Sequence, residues 1–365
     1  MRVLHITPTY APSTGGIESV VRNLSLGLRK LGVDSDVLHI APKLDRHRII
    51  DGTMSVTTLP LIGHRLLGYI PNLSKEVEGY DLLHVHDPQL AAISLNLLAV
   101  KQPPRRVLST HGGFRHTANL SLLKAFHSRI TAPIMLSGYT RVLASSLSDQ
   151  RAFSATRHDT VLAENGVDVR GFAASAHVRP RPLNRWISWG RLSKNKRAEK
   201  LIDLVETLNS SGREIDLLIC GSDFDGLSKG LRNSIRNRNL AGQITLRDSL
   251  SGEELRAEIE SRGVFITATE YEGFGLSIVE AMAAGLLIAC RDIEPINAFI
   301  AGGGAGVFIA FDGSENDKCA IEAFLDMPEE CAEMLRRRGQ EDVSRFDWNG
   351  KAEEFLQHYR NVLGA

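Results

Sequence analysis

Short apolar runs alternate with amphipathic segments along almost the whole chain. The runs are rich in Val, Ile and Leu, as in strands buried on both faces of a parallel sheet, and the segments between them have a helical period. This order predicts an α/β protein built on parallel sheets. In the first half, strands are predicted near Val3–Thr7, Asp36–Ile40, Leu82–His86, Arg106–Thr110 and Arg141–Ala144, with helices that include Ile17–Leu31 and Gln89–Ala99.

The second half repeats the alternation after a break. The break is a proline-containing segment without periodicity, His177–Leu183, which favours a domain boundary there. We expect a first domain over residues 1–178, a second over 179–345 and a C-terminal helical segment over 346–365. Strands are predicted near Trp186–Trp189, Asp216–Cys220, Ile244–Leu246, Val264–Thr267 and Leu287–Ala289, and helices include Ala198–Ser210, Glu253–Glu260, Leu276–Ala284 and Glu353–Val362.

Length and composition agree with two globular domains. A chain of 365 residues exceeds what one core usually holds, and 43% apolar with 24% charged residues is ordinary for soluble proteins. No apolar run reaches the ~20 residues of a membrane span, and the first residues lack the pattern of a secretory signal. The four cysteines have no C-x-x-C spacing. We therefore expect a cytoplasmic protein with reduced thiols.

The formal net charge of zero is divided unequally between the halves. Residues 1–180 hold 20 Lys and Arg against 13 Asp and Glu, which leaves 23 against 30 for the remainder, so the halves carry +7 and −7. A basic half suits an anionic surface or a phosphate-bearing partner, and chance partition is the alternative. A basic amphipathic stretch, Phe114–His116 with Leu120–Leu136, either rests on an anionic membrane or packs as a helix on the first domain.

Two carboxylates eight residues apart enclose a glycine-containing loop in the second half. Glu272 follows a predicted strand, and Glu280 lies about two turns into the next helix. Backbone N–H groups over Gly273–Ser277 can face a phosphate, because the first amides of a helix lack internal partners. A helical carboxylate can accept hydrogen bonds from ribose hydroxyls, and one in the loop can orient a sugar ring. The pattern indicates a sugar-nucleotide site, with two solvated glutamates as the alternative.

A basic loop, Gly190–Lys196, follows the first predicted strand of the second half. The planar guanidinium of Arg191 can hold two phosphate oxygens, and Lys196 supplies a compact positive charge nearby. Together they could stabilise a departing nucleoside diphosphate. We expect three neighbouring basic residues to be solvated: Lys194, Arg197 and Lys200.

Loops in the first half carry glycines and histidines at predicted strand ends. Gly15 and Gly16 would let the backbone approach a ligand, but their order is not the G-x-G-x-x-G of nicotinamide dehydrogenases. His111 follows a strand and would face the crevice where ligands bind, with a structural histidine as the alternative. A second group, His84, His86 and Asp87, could bind an acceptor or simply pack; a metal is not favoured, because no third ligand is evident.

These segments together resemble family 4 of the retaining glycosyltransferases, which have the GT-B fold. The motifs are Glu-x7-Glu at 272–280, G-R-L-x-x-x-K at 190–196, P-x-x-G-G at 12–16 and Thr-His-Gly-Gly at 110–113. The resemblance implies two Rossmann-like parallel-sheet domains facing an interdomain cleft. It also implies that the last helix returns to the first domain, which binds the acceptor while the second binds a nucleotide sugar.

The resemblance assigns roles to individual residues. Glu272 would lie beside the donor sugar, His111 would contact a sugar hydroxyl, and Glu280 would bind the ribose. Arg191 and Lys196 would stabilise the leaving diphosphate, so the catalytic set is His111, Arg191, Lys196 and Glu272. A donor phosphate oxygen could accept the acceptor's proton, and no metal or other cofactor is expected. The further donor-binding residues are Gly15, Gly16, Gly190, Gly221, Leu246, Gly273, Phe274, Gly275 and Leu276.

The region Ser109–Thr117 is similar to α-mannosyltransferases that extend polyprenyl-diphosphate-linked saccharides in bacterial exopolysaccharide assembly. That similarity implies GDP-mannose as donor, a lipid-diphosphate-linked saccharide as acceptor, and peripheral contact with the cytoplasmic face of the inner membrane. No nucleic-acid partner is expected. Three alternatives stay open: a transferase that uses UDP-glucose, UDP-galactose or UDP-N-acetylglucosamine, a non-hydrolysing sugar-nucleotide epimerase, and a silent sugar-nucleotide binding module.

Overall fold

The computed structural model describes residues 1–10, 15–42, 46–87, 90–112, 130–155, 159–177, 181–301 and 305–364. The chain divides into two compact units: Met1–Gly166 with Trp348–Ala365, and Val167–Asp347. The division falls between Gly166 and Val167, ahead of the proline-containing segment, because helix Val169–Ala173 packs against helix Leu276–Ala283 of the second unit.

The first unit is built on an eight-stranded sheet. Its described strands are β1 Arg2–Thr7, β2 Asp34–Pro42, β3 His47–Asp51, β4 Met54–Leu61, β5 Leu82–Val85, β6 Arg105–Ser109, β7 Arg141–Ala144 and β8 Thr160–Leu162. Their order is β3-β4-β2-β1-β5-β6-β7-β8. All neighbours pair in parallel except β3, which pairs antiparallel with β4. The described helices are α1 Gly16–Lys30, α2 Leu73–Glu76, α3 Ala92–Leu98, α4 Ala132–Leu136 and α5 Leu147–Ser154.

In the described part of the second unit, six strands form a parallel sheet. They are β9 Arg185–Trp189, β10 Asp216–Cys220, β11 Ile244–Arg247, β12 Val264–Thr267, β13 Leu287–Cys290 and β14 Gly306–Phe308. The order β11-β10-β9-β12-β13-β14 is that of the dinucleotide-binding fold. The helices are α6 Val169–Ala173, α7 Ala198–Ser210, α8 Ser228–Asn237, α9 Gly252–Glu260, α10 Leu276–Ala283, α11 Ile296–Ala301, α12 Glu315–Leu325 and α13 Glu329–Val343.

The last helix, α14 Trp348–Leu363, packs in the first unit. Its buried Phe355 and Tyr359 join Val3 and Leu28 in one apolar cluster, so it covers β1 together with α1. A Cβ on Gly27 would lie 2.8 Å from the Cβ of Ala352, so α1 needs glycine there for this close approach. A separate cluster covers the other face of the sheet, and the second unit likewise has a core on each face.

The strand orders locate where each sheet can bind a ligand. In parallel α/β sheets, ligands bind beyond the carboxyl ends of the strands, where the strand order reverses. That point lies between β1 and β5 in the first unit and between β9 and β12 in the second. The predicted site residues fall largely in the loops that follow these strands and their neighbours.

Two sequence-based expectations concern membranes. Among the helices that lie in the described ranges, none combines the length and the apolar content needed to cross a membrane. Phe114–His116 and most of the predicted basic amphipathic stretch lie outside the described residues. The part that is described, α4, buries Ala132, Met135 and Leu136 and exposes Ile134.

Candidate functional site

The loops after β9 and β12 meet at the point where the strand order of the second unit reverses. The amide of Glu270 donates to the carbonyl of Asn195 at 3.0 Å, and Asn195 Nδ2 donates to the carbonyl of Tyr271 at 2.7 Å. The side chain of Asn195 also donates to Thr269 Oγ1 at 3.2 Å. Sequence reasoning missed Asn195, which holds the loop of Lys196 against the loop of Glu272.

Lys196 and Glu272 form an ion pair across these two loops. Nζ of Lys196 contacts Oε1 of Glu272, and both side chains are largely buried. Partial burial strengthens such a pair, because water screens it less than on an open surface. The structure therefore brings together a predicted phosphate-binding cation and a predicted sugar-binding carboxylate. The loop after β9 therefore holds the ammonium group of Lys196 in place before an anionic ligand binds.

Arg191 lies beside Lys196 at the same pocket. The pocket is lined by residues of β9, β10, β12 and the loop after β9, including Trp189, Gly190, Arg191, Lys196, Cys220 and Thr267. The guanidinium of Arg191 is exposed and stacks over the ring of Phe224 at 5.0 Å from its centroid. A stacked guanidinium keeps its N–H edge available for oxygen acceptors such as phosphate.

Arg197 corrects one expectation about the basic loop. It was expected to be solvated, but it forms ion pairs with Glu199 and with Glu270. The second pair joins the β9 loop to the β12 loop, next to the hydrogen bonds of Asn195. The pairing of Arg197 with Glu270 could not be identified from the sequence, because the two residues are far apart along the chain.

Glu280 lies on α10 and accepts a hydrogen bond from the indole N–H of Trp189, 3.0 Å from Oε2. Burial raises the pKa of Glu280, and the negative charge of Asp168 adds to the increase, while Trp189 and Lys196 oppose it. The indole fixes one carboxylate oxygen, which leaves the other available to a hydroxyl donor such as ribose. Trp189 is a second site residue that sequence reasoning missed.

In the loop before α10, the backbone faces the site while the side chain of Phe274 packs in the core. Gly275 caps the helix with φ 92°, a conformation that favours glycine, and as a glycine it offers the first amides no side-chain cap of its own. The ring of Phe274 is buried against Phe299 and Phe346, so only its backbone could contact a ligand. Leu276 is partly buried, and Gly273 precedes the buried ring.

Leu246 is likewise buried in the core of the second unit. Its carbonyl accepts a hydrogen bond from Arg232 at 2.9 Å. Any ligand contact at this position therefore has to come from the loop that follows β11 rather than from the Leu246 side chain.

The start of the β10 loop touches the start of the β9 loop. A Cβ built on Gly221 would lie 1.7 Å from the carbonyl oxygen of Gly190. The amide of Gly190 in turn donates to the carbonyl of Cys220 at 3.1 Å. Only glycine at 221 therefore allows the backbone that leads into Arg191 and Lys196 to lie against β10.

Replacing Gly221 by alanine should lower the free energy of unfolding by about 2–3 kcal/mol, because the added methyl group forces the two strand ends apart. Gly230→Ala is the matched control: a methyl group added there, in α8, would meet no atom of the described residues within 4 Å. Alanine at 230 should instead stabilise the helix by ~0.5–1 kcal/mol. Urea unfolding of both variants measures the contrast. Equal effects would contradict the close contact between Gly221 and Gly190.

In the first unit, histidines gather where β1, β5 and β6 end. Nδ1 of His5 lies 3.0 Å from Nε2 of His86, and Nδ1 of His86 lies 2.7 Å from Nε2 of His111. His84 bonds instead to the hydroxyl of Tyr359 and to that of Ser109, at 2.6 and 2.8 Å. Burial lowers the pKa of all four imidazoles, to about 3 for His5 and about 4 for His111. They are therefore neutral at pH 7.

His5 supplies the third imidazole beside His84 and His86 that sequence analysis did not find. One ring nitrogen from each of the three residues lies within 4.8 Å of the others, a spacing that could hold a metal ion. Hydrogen bonds already engage both nitrogens of His84, both of His86 and Nδ1 of His5. The geometry is thus accounted for by hydrogen bonds between imidazoles and hydroxyls.

His111 adopts φ 46°, a left-handed conformation that costs energy in a residue other than glycine. The buried carboxylate of Asp149 holds the neighbouring backbone: it accepts from the amide of Gly112 at 2.9 Å and from the hydroxyls of Thr110 and Ser145. Such strain persists only where surrounding contacts enforce it. His111 is thus held at its strand end by the chain on both sides.

The glycines after β1 lie at the start of α1. Gly15 is the cap residue of α1 and Gly16 its first residue, so both fall at the helix end where amides can face an anion. A Cβ on Gly15 would lie 2.4 Å from Oε2 of Glu18. Residues 11–14, which complete the predicted P-x-x-G-G motif, lie outside the described residues.

Two Rossmann-type sheets, with paired basic and acidic side chains at a switch point, define a class of nucleotide-sugar enzymes. The family model described as "Glycosyltransferase Family 4" matches residues 14–171, and "Glycosyl transferases group 1" matches residues 174–342. The chain belongs to family 4 of the glycosyltransferases and is a hexosyltransferase with the GT-B fold. The predictions of family, fold class and enzyme class are confirmed.

Individual proteins extend the similarity over the whole chain. A GDP-mannose:cellobiosyl-diphosphopolyprenol alpha-mannosyltransferase of Komagataeibacter xylinus is 32% identical, over 100% of this chain and 94% of the relative. A protein with the same activity name from Xanthomonas oryzae pv. oryzae is 28% identical, over 100% and 98%. The solved sucrose-phosphate synthase of Thermosynechococcus elongatus superposes with a TM-score of 0.80 at 17% identity, covering 100% of both chains, which supports the fold alone.

Proposed function

We propose that this protein transfers mannose from GDP-mannose to a polyprenyl-diphosphate-linked saccharide, with retention of the anomeric configuration. The observation that carries the proposal is the Lys196–Glu272 pair at the switch point of the second unit. The choice of mannose is supported by the relatives, because two full-length matches carry GDP-mannose in their activity names.

In this proposal the second unit binds the donor. Lys196 and Arg191 hold the diphosphate, helped by the first amides of α10, whose dipole favours an anion. The oxygen of Glu280 that Trp189 does not engage accepts from the ribose hydroxyls, and Glu272 orients the sugar ring. Gly190 and Gly221 let the backbone approach these groups, and residues after Leu246 border the base.

The reaction breaks the bond between the sugar C1 and the β-phosphate oxygen and forms a bond between C1 and the acceptor hydroxyl oxygen. Negative charge grows on the departing diphosphate, where Arg191 and Lys196 stabilise it. The proton of the acceptor hydroxyl passes to an oxygen of the released diphosphate. This scheme balances without a protein general base, a metal or another cofactor.

The first unit would bind the acceptor in this scheme. Residues 1–180 carry an excess of seven positive charges, which suits a diphosphate group on a lipid and the anionic surface that presents it. A soluble nucleotide sugar and a lipid-linked acceptor meet at the cytoplasmic face of the inner membrane. We therefore infer peripheral membrane contact and a role in exopolysaccharide or other surface-glycan synthesis.

A donor screen tests the proposal. The protein is incubated with GDP-mannose, UDP-glucose, UDP-galactose or UDP-N-acetylglucosamine, and nucleoside diphosphate release is followed with and without a cellobiosyl-diphospholipid. Acceptor-dependent GDP release from GDP-mannose alone is expected. Release only from a UDP-sugar would overturn the mannose assignment, turnover of a sugar nucleotide without acceptor would indicate an epimerase, and binding without turnover would indicate a silent module.

A further inference from the structure

The hydrogen-bonded row of His5, His86 and His111 runs from the core of the first unit to a strand end. The three residues come from β1, the end of β5 and the end of β6, which are consecutive neighbours in the sheet. The rings of successive members are nearly stacked, with centroids 5.3 and 5.0 Å apart. The nitrogen contacts of 3.0 and 2.7 Å leave no room for water between the rings.

A neutral imidazole carries one N–H donor and one acceptor nitrogen, so such a row can be ordered in only two ways. Either every ring donates toward His111, or every ring donates away from it. Burial keeps the rings neutral, since the lowered pKa values of all three lie far below pH 7. The direction of the row therefore fixes which nitrogen of His111 carries the proton.

The surroundings of His5, at the inner end of the row, determine the direction in which the rings donate their N–H groups. Nε2 of His5 is fully buried and has no hydrogen-bond partner within the described chain. A buried N–H without a partner is rarer and more costly than a buried acceptor without one. Nε2 of His5 is therefore the acceptor, and its proton lies on Nδ1, from which it is donated to His86.

We propose that His5 and His86 are positioning residues that set the tautomer of His111, so that its Nδ1–H is presented as a hydrogen-bond donor to a hydroxyl oxygen of the transferred sugar. His5 donates from Nδ1 to Nε2 of His86, and His86 donates from Nδ1 to Nε2 of His111. The sugar contact rests on the proposed function, whereas the tautomer does not depend on the donor used.

Two substitutions at His5 separate positioning from packing. The amide N–H of His5→Asn can donate from nearly the position of imidazole Nδ1, whereas His5→Leu fills the space but cannot donate. His5→Leu should lower kcat about 10-fold, the usual consequence of losing one net hydrogen bond, with KM changed less than about 2-fold. His5→Asn should stay within about 3-fold of the parent. His39→Asn, a half-buried histidine outside the row, controls for general destabilisation.

The tautomer is read directly from ¹⁵N signals of histidine-labelled protein. The parent should show the proton of His111 on Nδ1, His5→Asn should keep it there, and His5→Leu should populate the Nε2–H form. A parent His111 protonated on Nε2 would overturn the proposal, as would equal kinetic effects of His5→Asn and His5→Leu. Stoichiometric metal in the purified protein that is lost with His5→Leu would overturn it too.

The two proposals fail separately in these experiments. Kinetics are measured with whichever donor the parent uses, so a UDP-sugar preference would reject mannose and leave the comparison of His5 variants intact. Transfer of mannose by a parent whose His111 carries the Nε2 proton would reject the positioning role and leave the proposed function standing.

Discussion

Replacing Lys196 by methionine is expected to lower kcat about 10²–10³-fold, because the variant lacks the cation that faces the departing diphosphate. Methionine keeps most of the side-chain volume, so the loops should remain in place through Asn195 and Arg197. The loss should appear mainly in kcat, since charge on the diphosphate grows as the glycosidic bond breaks. Steady-state nucleoside diphosphate release with saturating acceptor measures it.

Lys194→Met is the matched control for this experiment. Lys194 lies two residues away on the same loop and is exposed, so its replacement should change kcat less than about 2-fold. A Lys196→Met variant with kcat within about 3-fold of the parent would contradict the role assigned to the Lys196–Glu272 pair. Similar losses in the two variants would indicate a general electrostatic effect of the basic loop.

The first unit should lose stability on mild acidification. His5, His84, His86 and His111 have pKa values lowered by burial from the ordinary 6.5, so between pH 6.5 and about 4 the unfolded chain binds protons that the folded chain does not. Stability is therefore complete above pH 6.5 and falls as the pH drops. Each histidine contributes at most about 1.4 kcal/mol per pH unit, so the four together lower the free energy of unfolding by up to roughly 5.6 kcal/mol for each unit of pH, against a typical domain stability of 5–15 kcal/mol.

Circular dichroism and tryptophan fluorescence can follow the two units separately. In a Trp348→Phe variant, the remaining tryptophans, Trp186 and Trp189, both report on the second unit, whose only histidine in the sequence is His177. Urea midpoints at pH 7.5, 6.5 and 5.5 should fall by circular dichroism and change little by fluorescence. An unchanged circular-dichroism midpoint at pH 5.5 would be incompatible with a neutral histidine cluster.

The sequence was sufficient for most of the buried strands, because apolar residues dominate each of them. Every predicted strand is present in the structure, and four predicted helices begin and end within one residue of their predicted bounds: Ile17–Leu31, Ala198–Ser210, Glu253–Glu260 and Leu276–Ala284. The last helix begins five residues before the predicted Glu353, and the predicted start of α3 at Gln89 lies outside the described residues. The pattern did not predict β3, which is exposed along almost its full length and pairs only at the sheet edge. Nor did it predict β4, which is buried but has serine, threonine and proline among its apolar residues. It also missed the three-residue strands β8 and β14, which are too short for a period to be recognised.

Some site residues could be predicted from a local motif, whereas others depend on a partner that is distant along the chain. Glu272, Glu280, Arg191 and Lys196 lie in local motifs that, together with the resemblance to family 4, indicate phosphate and sugar chemistry. Asn195, Trp189 and His5 could not be selected from the sequence, because each acts through a partner distant along the chain. Phe274 differs from these three residues, because the motif did identify its position. The structure was needed to show that its ring belongs to the core.

The most direct test of the account is the structure of the product. GDP-α-mannose labelled with ¹³C at C1 is incubated with the protein and a cellobiosyl-diphospholipid, and the one-bond carbon–hydrogen coupling at C1 of the isolated glycolipid is measured by NMR. An α-mannoside is predicted, because family 4 transfer retains the donor configuration. A β-mannoside, or a glycolipid that contains no mannose, would contradict the account.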